Sequence, residues 1–183
     1  PPRISIVTPS FNQGEYLAAA LQSLVDQDYP DLEVIIQDGG STDGSQDIAK
    51  QFTAEHPEIF SLFVEEDAGQ ADAINRGFRR ATGDIMGFLN SDDKLEKECL
   101  QRVAQEIDPD RQRHIVFGRS RFFGSDASKQ SKDHSWTYRN RFDQLAIWKR
   151  GYNQIPQPST FWHRIVWEAC GELDTTITHA VDY

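Results

Sequence analysis

The chain has 183 residues and 20.9 kDa, enough for one ordinary domain that buries roughly 70% of its unfolded surface. Its formal net charge of -10 excludes the basic footprint of a nucleic-acid binder, and no apolar run approaches the ~20 residues a membrane helix needs. Cys99 and Cys170 have neither C-x-x-C spacing nor a neighbouring His, which excludes a zinc centre or disulfide framework and fits a reducing cytoplasm.

The chain opens on Pro1-Pro2-Arg3 with no initiator Met and no signal peptide, so it reads as a domain cut from a longer chain. Ile4, Ile6 and Val7 predict a first strand. Leu17, Ala20, Leu21, Leu24 and Val25 then repeat at i, i+3, i+4, i+7 and i+8, a helix stripe that stops before Pro30. A second strand is expected over residues 32–36 and a helix around Ile48, Ala49 and Phe52. A third strand follows over 60–64, and a helix carrying Ala71, Ile74, Phe78 and Ala81 ends before Gly83. Residues 85–89 predict a fourth strand, Leu100, Val103, Ala104 and Ile107 a helix, and 115–117 a fifth strand. This alternation predicts an α/β domain with a mostly parallel sheet covered by helices on both faces.

Residues 1–118 form the expected core and 119–183 a second region packed onto it, within one domain and cut short at its C-terminus. The second region holds all four tryptophans, Trp136, Trp148, Trp162 and Trp167, after a polar stretch around 125–133 that reads as an exposed loop.

In open parallel sheets, ligands bind beyond the carboxyl ends of the strands. Here those ends read Thr8-Pro9-Ser10-Phe11-Asn12, Asp38-Gly39-Gly40, Glu65-Glu66-Asp67-Ala68-Gly69-Gln70 and Asn90-Ser91-Asp92-Asp93. The adjacent carboxylates of Asp92 and Asp93 repel each other, and a hard cation between them and a diphosphate would relieve that repulsion. Acids placed at a helix N-terminus by the macrodipole are the other reading of the pair. An acidic protein that handles a diphosphate is expected to bring a divalent cation.

The runs TPSFNQGEYL, QDGGSTDGS and DAGQADAINRGFRRATGDIMGFLNSDD, followed by QPSTFWHR, Cys170-Gly171-Glu172-Leu173-Asp174 and Val181-Asp182-Tyr183, resemble the family 2 glycosyltransferases in order and spacing. The resemblance implies a GT-A, Rossmann-like fold with residues 119–183 as its acceptor side, a nucleotide diphosphate sugar donor, Mn or Mg as cofactor, and inversion at the anomeric carbon. It implies that Thr8, Pro9 and Ser10 line the nucleoside pocket with Asn12 nearby, that Asp38 bonds the base edge or ribose, and that Gly39 permits close approach. Asp67 and Gly69 would approach the donor with Asn75, Asp67 reading equally as a helix cap. Asn90 stands where the family's D-x-D motif has its first acid, and can still bind a ribose hydroxyl. Asp92 would be the metal ligand, with Asp93 a second ligand or its brace, and Asp182 the general base. His179 reads as a surface residue.

The implied partners are a nucleotide diphosphate sugar and a glycan or lipid-linked acceptor. The implied location is the cytoplasm, with peripheral attachment at the inner membrane face as the closest membrane association. At least one of Phe161 and Trp162 is expected to be buried beside the acceptor side of the cleft. Two other readings stand: a sugar nucleotidyltransferase, which lacks its Gly-rich, Arg-containing loop here, and a non-catalytic sugar-nucleotide or glycan-binding module. Without G-x-G-x-x-G after the first strand and without G-K-[ST], dinucleotide oxidoreductases and P-loop kinases are excluded.

Overall fold

The computed structural model describes residues 1–108, 110, 113–120 and 155–177. Strand β1 (Ile4–Ser10) lies at the centre, and all seven of its residues are buried. It pairs in parallel with β2 (Leu32–Asp38) on one edge and β4 (Ile85–Phe88) on the other. A strand with neighbours on both edges and helices on both faces has no solvent side, which is why Ile4, Ile6 and Val7 are buried whichever face they point to, and Ser5, Thr8 and Ser10 with them. β3 (Phe60–Val64) extends the parallel set beyond β2. β6 (Thr160–His163) enters antiparallel between β4 and β5 (Ile115–Phe117), giving the order β3-β2-β1-β4-β6-β5.

Helices α1 (Gly14–Val25), α2 (Ser45–Glu55) and α4 (Cys99–Glu106) cover one face of this sheet. There Leu17, Leu21, Leu24, Ala49, Leu100 and Val103 pack with Ile4, Ile6, Val34 and Ile36. The other face carries α3 (Gln70–Arg80) and α5 (Arg164–Cys170), whose Ile74, Phe78 and Trp167 meet Val7, Ile35, Met86 and Trp162. Burial holds α1 in place more than capping does. It lacks a side-chain cap of its own, a feature worth about 1 kcal/mol, whereas Leu17, Leu21 and Leu24 are fully buried at roughly 1.5–3 kcal/mol each.

Two elements differ from the sequence expectation. β2 runs on through Gln37 and Asp38, which pair with Phe63 and Val64. Those polar side chains are tolerated there because Arg80 donates to Gln37 Oε1 at 2.9 Å and the loop beyond β2 satisfies Asp38. β6 was expected as no strand at all. Its four residues are too few to show a period, and its place is made by Gly87 on β4, where a Cβ would stand 2.7 Å from Phe161 Cδ1. Phe161 is buried on the α1 face, and Trp162 meets Phe78 edge-on on the opposite face, at 5.5 Å between ring centres. Both rings serve the core. Among the described residues, no helix is long and apolar enough to cross a membrane.

Candidate active site

The chain builds β1, β2 and β3 outward in one direction and then crosses to β4 on the other side of β1. That reversal opens a crevice beyond the carboxyl ends of β1 and β4. A cavity of about 880 Å³ lies there, walled by the strand ends and the start of α3.

Seven of the expected residues line it: Pro9, Ser10, Gly39, Asp67, Gly69, Asn90 and Asp92. Phe11, Gln13, Gly40, Glu66, Gln70, Ala73 and Ser91 complete the wall. Their signal in the sequence is position alone, since most directly follow a strand. Glu66, Asp67 and Asp92 bring carboxylates to this wall, and among the described residues no Lys, Arg or His lines it. Phe11 stands at the mouth, 61% exposed.

The other expected residues lie behind the wall. Asn12, at φ 52°, sends its Oδ1 to the Thr42 amide at 2.9 Å, while its own amide donates to Ser41 Oγ at 2.9 Å. Asp43 Oδ2 accepts from the first amide of α1, Gly14, at 2.8 Å. The loops after β1 and β2 thus cap each other. Asp38 is wholly buried and accepts from Gly40 N, Ser41 N and Ser41 Oγ at 3.0, 2.7 and 2.7 Å. Gly39 then passes so close to Asp67 that a Cβ would sit 2.5 Å from Asp67 Oδ2. Asn75 is turned away from the cavity, bonded to the backbone of Leu173. Thr8 Oγ1 and Ser10 Oγ are buried at the end of β1 without a protein partner among the described residues.

The turn after β4 is held by Ser91 Oγ, which donates to Pro9 O at 2.8 Å, and by Asp93 N, which donates to Asn90 O at 3.1 Å. Asn90 Oδ1 accepts from Gln70 Nε2 at 2.6 Å, and Asn90 Nδ2 donates to Gln157 Oε1 at 3.1 Å and Asp93 Oδ2 at 3.4 Å. Burial, and then the neighbouring Asp92 charge, push the Asp93 carboxyl up to about 6, against the lowering effect of the Asn90 amide. Asp92 is exposed to the cavity and makes no hydrogen bond or ion pair among the described residues.

This donor set fits a hard divalent cation. It consists of carboxylate oxygens, one of them unengaged and the next, Asp93, raised by burial and by its like-charged neighbour, both of which a bound cation would offset. No group of three or more His, Cys, Asp or Glu side chains converges among the described residues. A cation here would therefore complete its shell with ligand phosphates and water, as Mg commonly does. Cys99 is no rival ligand, because burial pushes its thiol up to about 11. Asp182, His179, Trp136 and Trp148 lie outside the described residues.

Solved structures share this architecture. A mannosyltransferase from Pyrobaculum calidifontis, in complex with GDP-Man and Mn2+, superposes on 96% of this chain with a TM-score of 0.70 at 21% identity, over 48% of its own length. TarS from S. aureus superposes on 98% with a TM-score of 0.71 at 20% identity, over 32% of its length. The fold is therefore GT-A. Among curated relatives, the putative teichuronic acid biosynthesis glycosyltransferase TuaG of Bacillus subtilis is 40% identical over 104 residues, 57% of this chain and 41% of TuaG. A PGL/p-HBAD biosynthesis glycosyltransferase of Mycobacterium tuberculosis is 39% identical over 118 residues, 64% of this chain and 46% of its own. The chain thus spans less than half the length of these relatives. The sequence profile of Glycosyl transferase family 2 matches residues 5–167, and the chain belongs to that family.

Proposed function

We propose that this domain binds a nucleotide diphosphate sugar at the crevice between β1 and β4 and transfers the sugar, with inversion, to an acceptor hydroxyl. The carrying observation is the wall itself: among the described residues, an oxygen-rich crevice with three carboxylates and no cationic side chain. A diphosphate enters such a site only with its charge neutralised. Asp92, with Asp93 beside it, would hold Mg or Mn, which when bound neutralises the diphosphate and stabilises it as a leaving group. Ser10 offers its unpartnered hydroxyl to the nucleoside, Gly39 admits the ring beside its backbone, and Pro9, Asp67 and Gly69 shape the pocket around it. Thr8 lies beneath Ser10 on the same face of β1. Asp38, Asn12 and Asn75 hold the loops that make this shape.

Displacement with inversion needs one carboxylate to take the acceptor proton, and Asp182 is assigned that role by its place in the family pattern. The names of the relatives, in teichuronic acid and PGL/p-HBAD biosynthesis, support a biosynthetic role, and the same proposal includes a glycan or lipid-linked acceptor and a cytoplasmic location.

Calorimetry with UDP, GDP, dTDP and CMP, each in Mn and in EDTA, tests this reading. One nucleotide is expected to bind in Mn and to weaken roughly tenfold or more in EDTA or in Asp92→Ala, the scale of a lost charge-assisted contact. Equal affinity with and without Mn overturns the metal role. Absence of binding by all four overturns the nucleotide reading, and binding without transfer to any acceptor favours a sugar-nucleotide-binding module.

A further inference from the structure

Three side-chain amides run head to tail from the back of the site into the cavity, and one atom sets the orientation of all three. The carbonyl of Phe88 can only accept, so the group that Gln157 places 2.9 Å from it is the NH2, Nε2. Gln157 Oε1 is thereby turned to Asn90 and accepts from Asn90 Nδ2 at 3.1 Å. Asn90 Oδ1 then faces α3 and accepts from Gln70 Nε2 at 2.6 Å. What is left over is Gln70 Oε1, which meets no donor among the described residues. Gln70 and Asn90 line the cavity, and Gln157 does not.

A glutamine on an open wall can present either its oxygen or its NH2 by a half-turn of the amide. This one cannot, because reversing it would set Oε1 against Asn90 Oδ1. Each bond in the chain also polarises the next, which strengthens the acceptor at its end. An Asp at position 90 would accept from both neighbours and lose this directionality, so the chain depends on the amide this protein has at the first position of its acidic motif.

We propose that Gln70 Oε1 is a pre-oriented acceptor for a ligand hydroxyl, on the sugar or the ribose, and that Gln157 is a positioning residue that sets it from outside the cavity. The proposal rests on the nucleotide-sugar reading above. It makes the wall select a hydroxyl at that point and disfavour a deoxy or O-alkylated ligand, which would leave the acceptor unpaired.

The test is calorimetry in Mn with UDP-GlcNAc, GDP-Man, UDP and GDP as probes. Gln70 is exposed, so Gln70→Leu folds as the wild type does. Gln70→Leu is expected to weaken the bound probe roughly tenfold, the effect of one lost polar contact. Gln157→Leu, which removes nothing from the wall, is expected to weaken it about threefold through loss of orientation alone. The double variant should bind like Gln70→Leu, because Gln157 acts only through Gln70. A loss confined to the sugar nucleotide identifies a sugar hydroxyl, and a loss shared with the bare nucleotide identifies the ribose. Wild-type affinity in Gln70→Leu, or losses that multiply in the double variant, overturn the proposal while leaving the nucleotide reading standing. If the wild type binds none of these probes and neither dTDP nor CMP, both fall.

Discussion

Asn75 and Leu173 bind each other reciprocally: Asn75 Nδ2 donates to the Leu173 carbonyl and Asn75 Oδ1 accepts from the Leu173 amide, both at 2.9 Å, across 98 residues of sequence. With Asn75 only 1% exposed, this pair fastens the segment after α5 to the buried side of α3. Arg79 adds a two-pronged contact to Glu172 at 2.6 Å, but both partners are about half exposed, and such pairs contribute about 0–1 kcal/mol. Asn75→Leu should therefore cost about 2–4 kcal/mol, by stranding two backbone groups, and Arg79→Ala less than about 1 kcal/mol. Urea unfolding at constant m measures both. Nucleotide affinity of the folded fraction is expected to stay normal in Asn75→Leu, and a stable variant that has lost nucleotide would return Asn75 to the donor site.

Asp38 supports the cavity from beneath, since the groups it accepts from belong to Gly40 and Ser41, and Gly39 and Gly40 are wall residues. Asp38→Ala should lower stability by about 1–3 kcal/mol for each group left unpaired and weaken nucleotide binding with or without metal. Asp38→Asn keeps one oxygen for the two amides and sends its NH2 to a hydroxyl that can accept, so it should retain most of both. Melting temperature and calorimetry on the same preparations decide it. Full stability with lost affinity in Asp38→Ala would instead mean direct contact with the nucleoside.

The mostly parallel character of the sheet and four of the five helices among the described residues were legible in the sequence because their patterns are clean, as in the Leu17, Leu21, Leu24 stripe of α1. β6 was not, because Thr160–His163 is a strand only by virtue of the slot beside Gly87. At the site, the segments could be read but not the direction of each side chain. Ser10 and Asp92 face the cavity, whereas Asp38 and Asn75, equally polar and equally placed by family pattern, turn inward, and the exposed Asn12 turns to the neighbouring loop, all three to hold backbone. Nothing in local sequence separates those two uses of a short polar side chain, because the choice is made by tertiary neighbours such as Ser41, Thr42 and Leu173.

Asp93 should make stability depend on pH. Its carboxyl is raised from 3.8 to about 6 by burial and by the Asp92 charge, so the folded state holds that proton more tightly than the unfolded state does. Stability arising from this group is present at low pH and lost as pH rises from about 4 to about 6. Asp93→Asn removes the buried charge, so in metal-free protein its melting temperature should exceed that of the wild type above pH 7, and the gap should close towards pH 4. A gap independent of pH, or one that widens in acid, would count against the raised carboxyl.

The last prediction concerns the base. The later segments that resemble the family pattern carry Glu172, Asp174 and Asp182. Arg79 bonds Glu172 and holds its carboxyl below the ordinary range, and the Thr176 hydroxyl and amide do the same for Asp174, at 2.7 and 2.9 Å. A carboxylate made less basic by partners of its own is a poor proton acceptor. The family resemblance places Asp182 in the segment of the general base, and we propose that it takes the proton of the acceptor hydroxyl. Asp182→Asn keeps the size of the side chain and removes its basicity, so transfer should fall by about 10²–10⁴-fold while donor affinity stays near that of the wild type. An Asp that merely caps a helix would behave oppositely, costing about 0.5–2 kcal/mol of stability and leaving turnover per folded molecule unchanged. Melting temperature, nucleotide affinity and transfer rate from one preparation separate the two. Wild-type turnover in folded Asp182→Asn would move the role to Asp174 or Glu172, and then Thr176→Val or Arg79→Ala, by freeing those carboxylates, should shift the acidic limb of the rate profile upward.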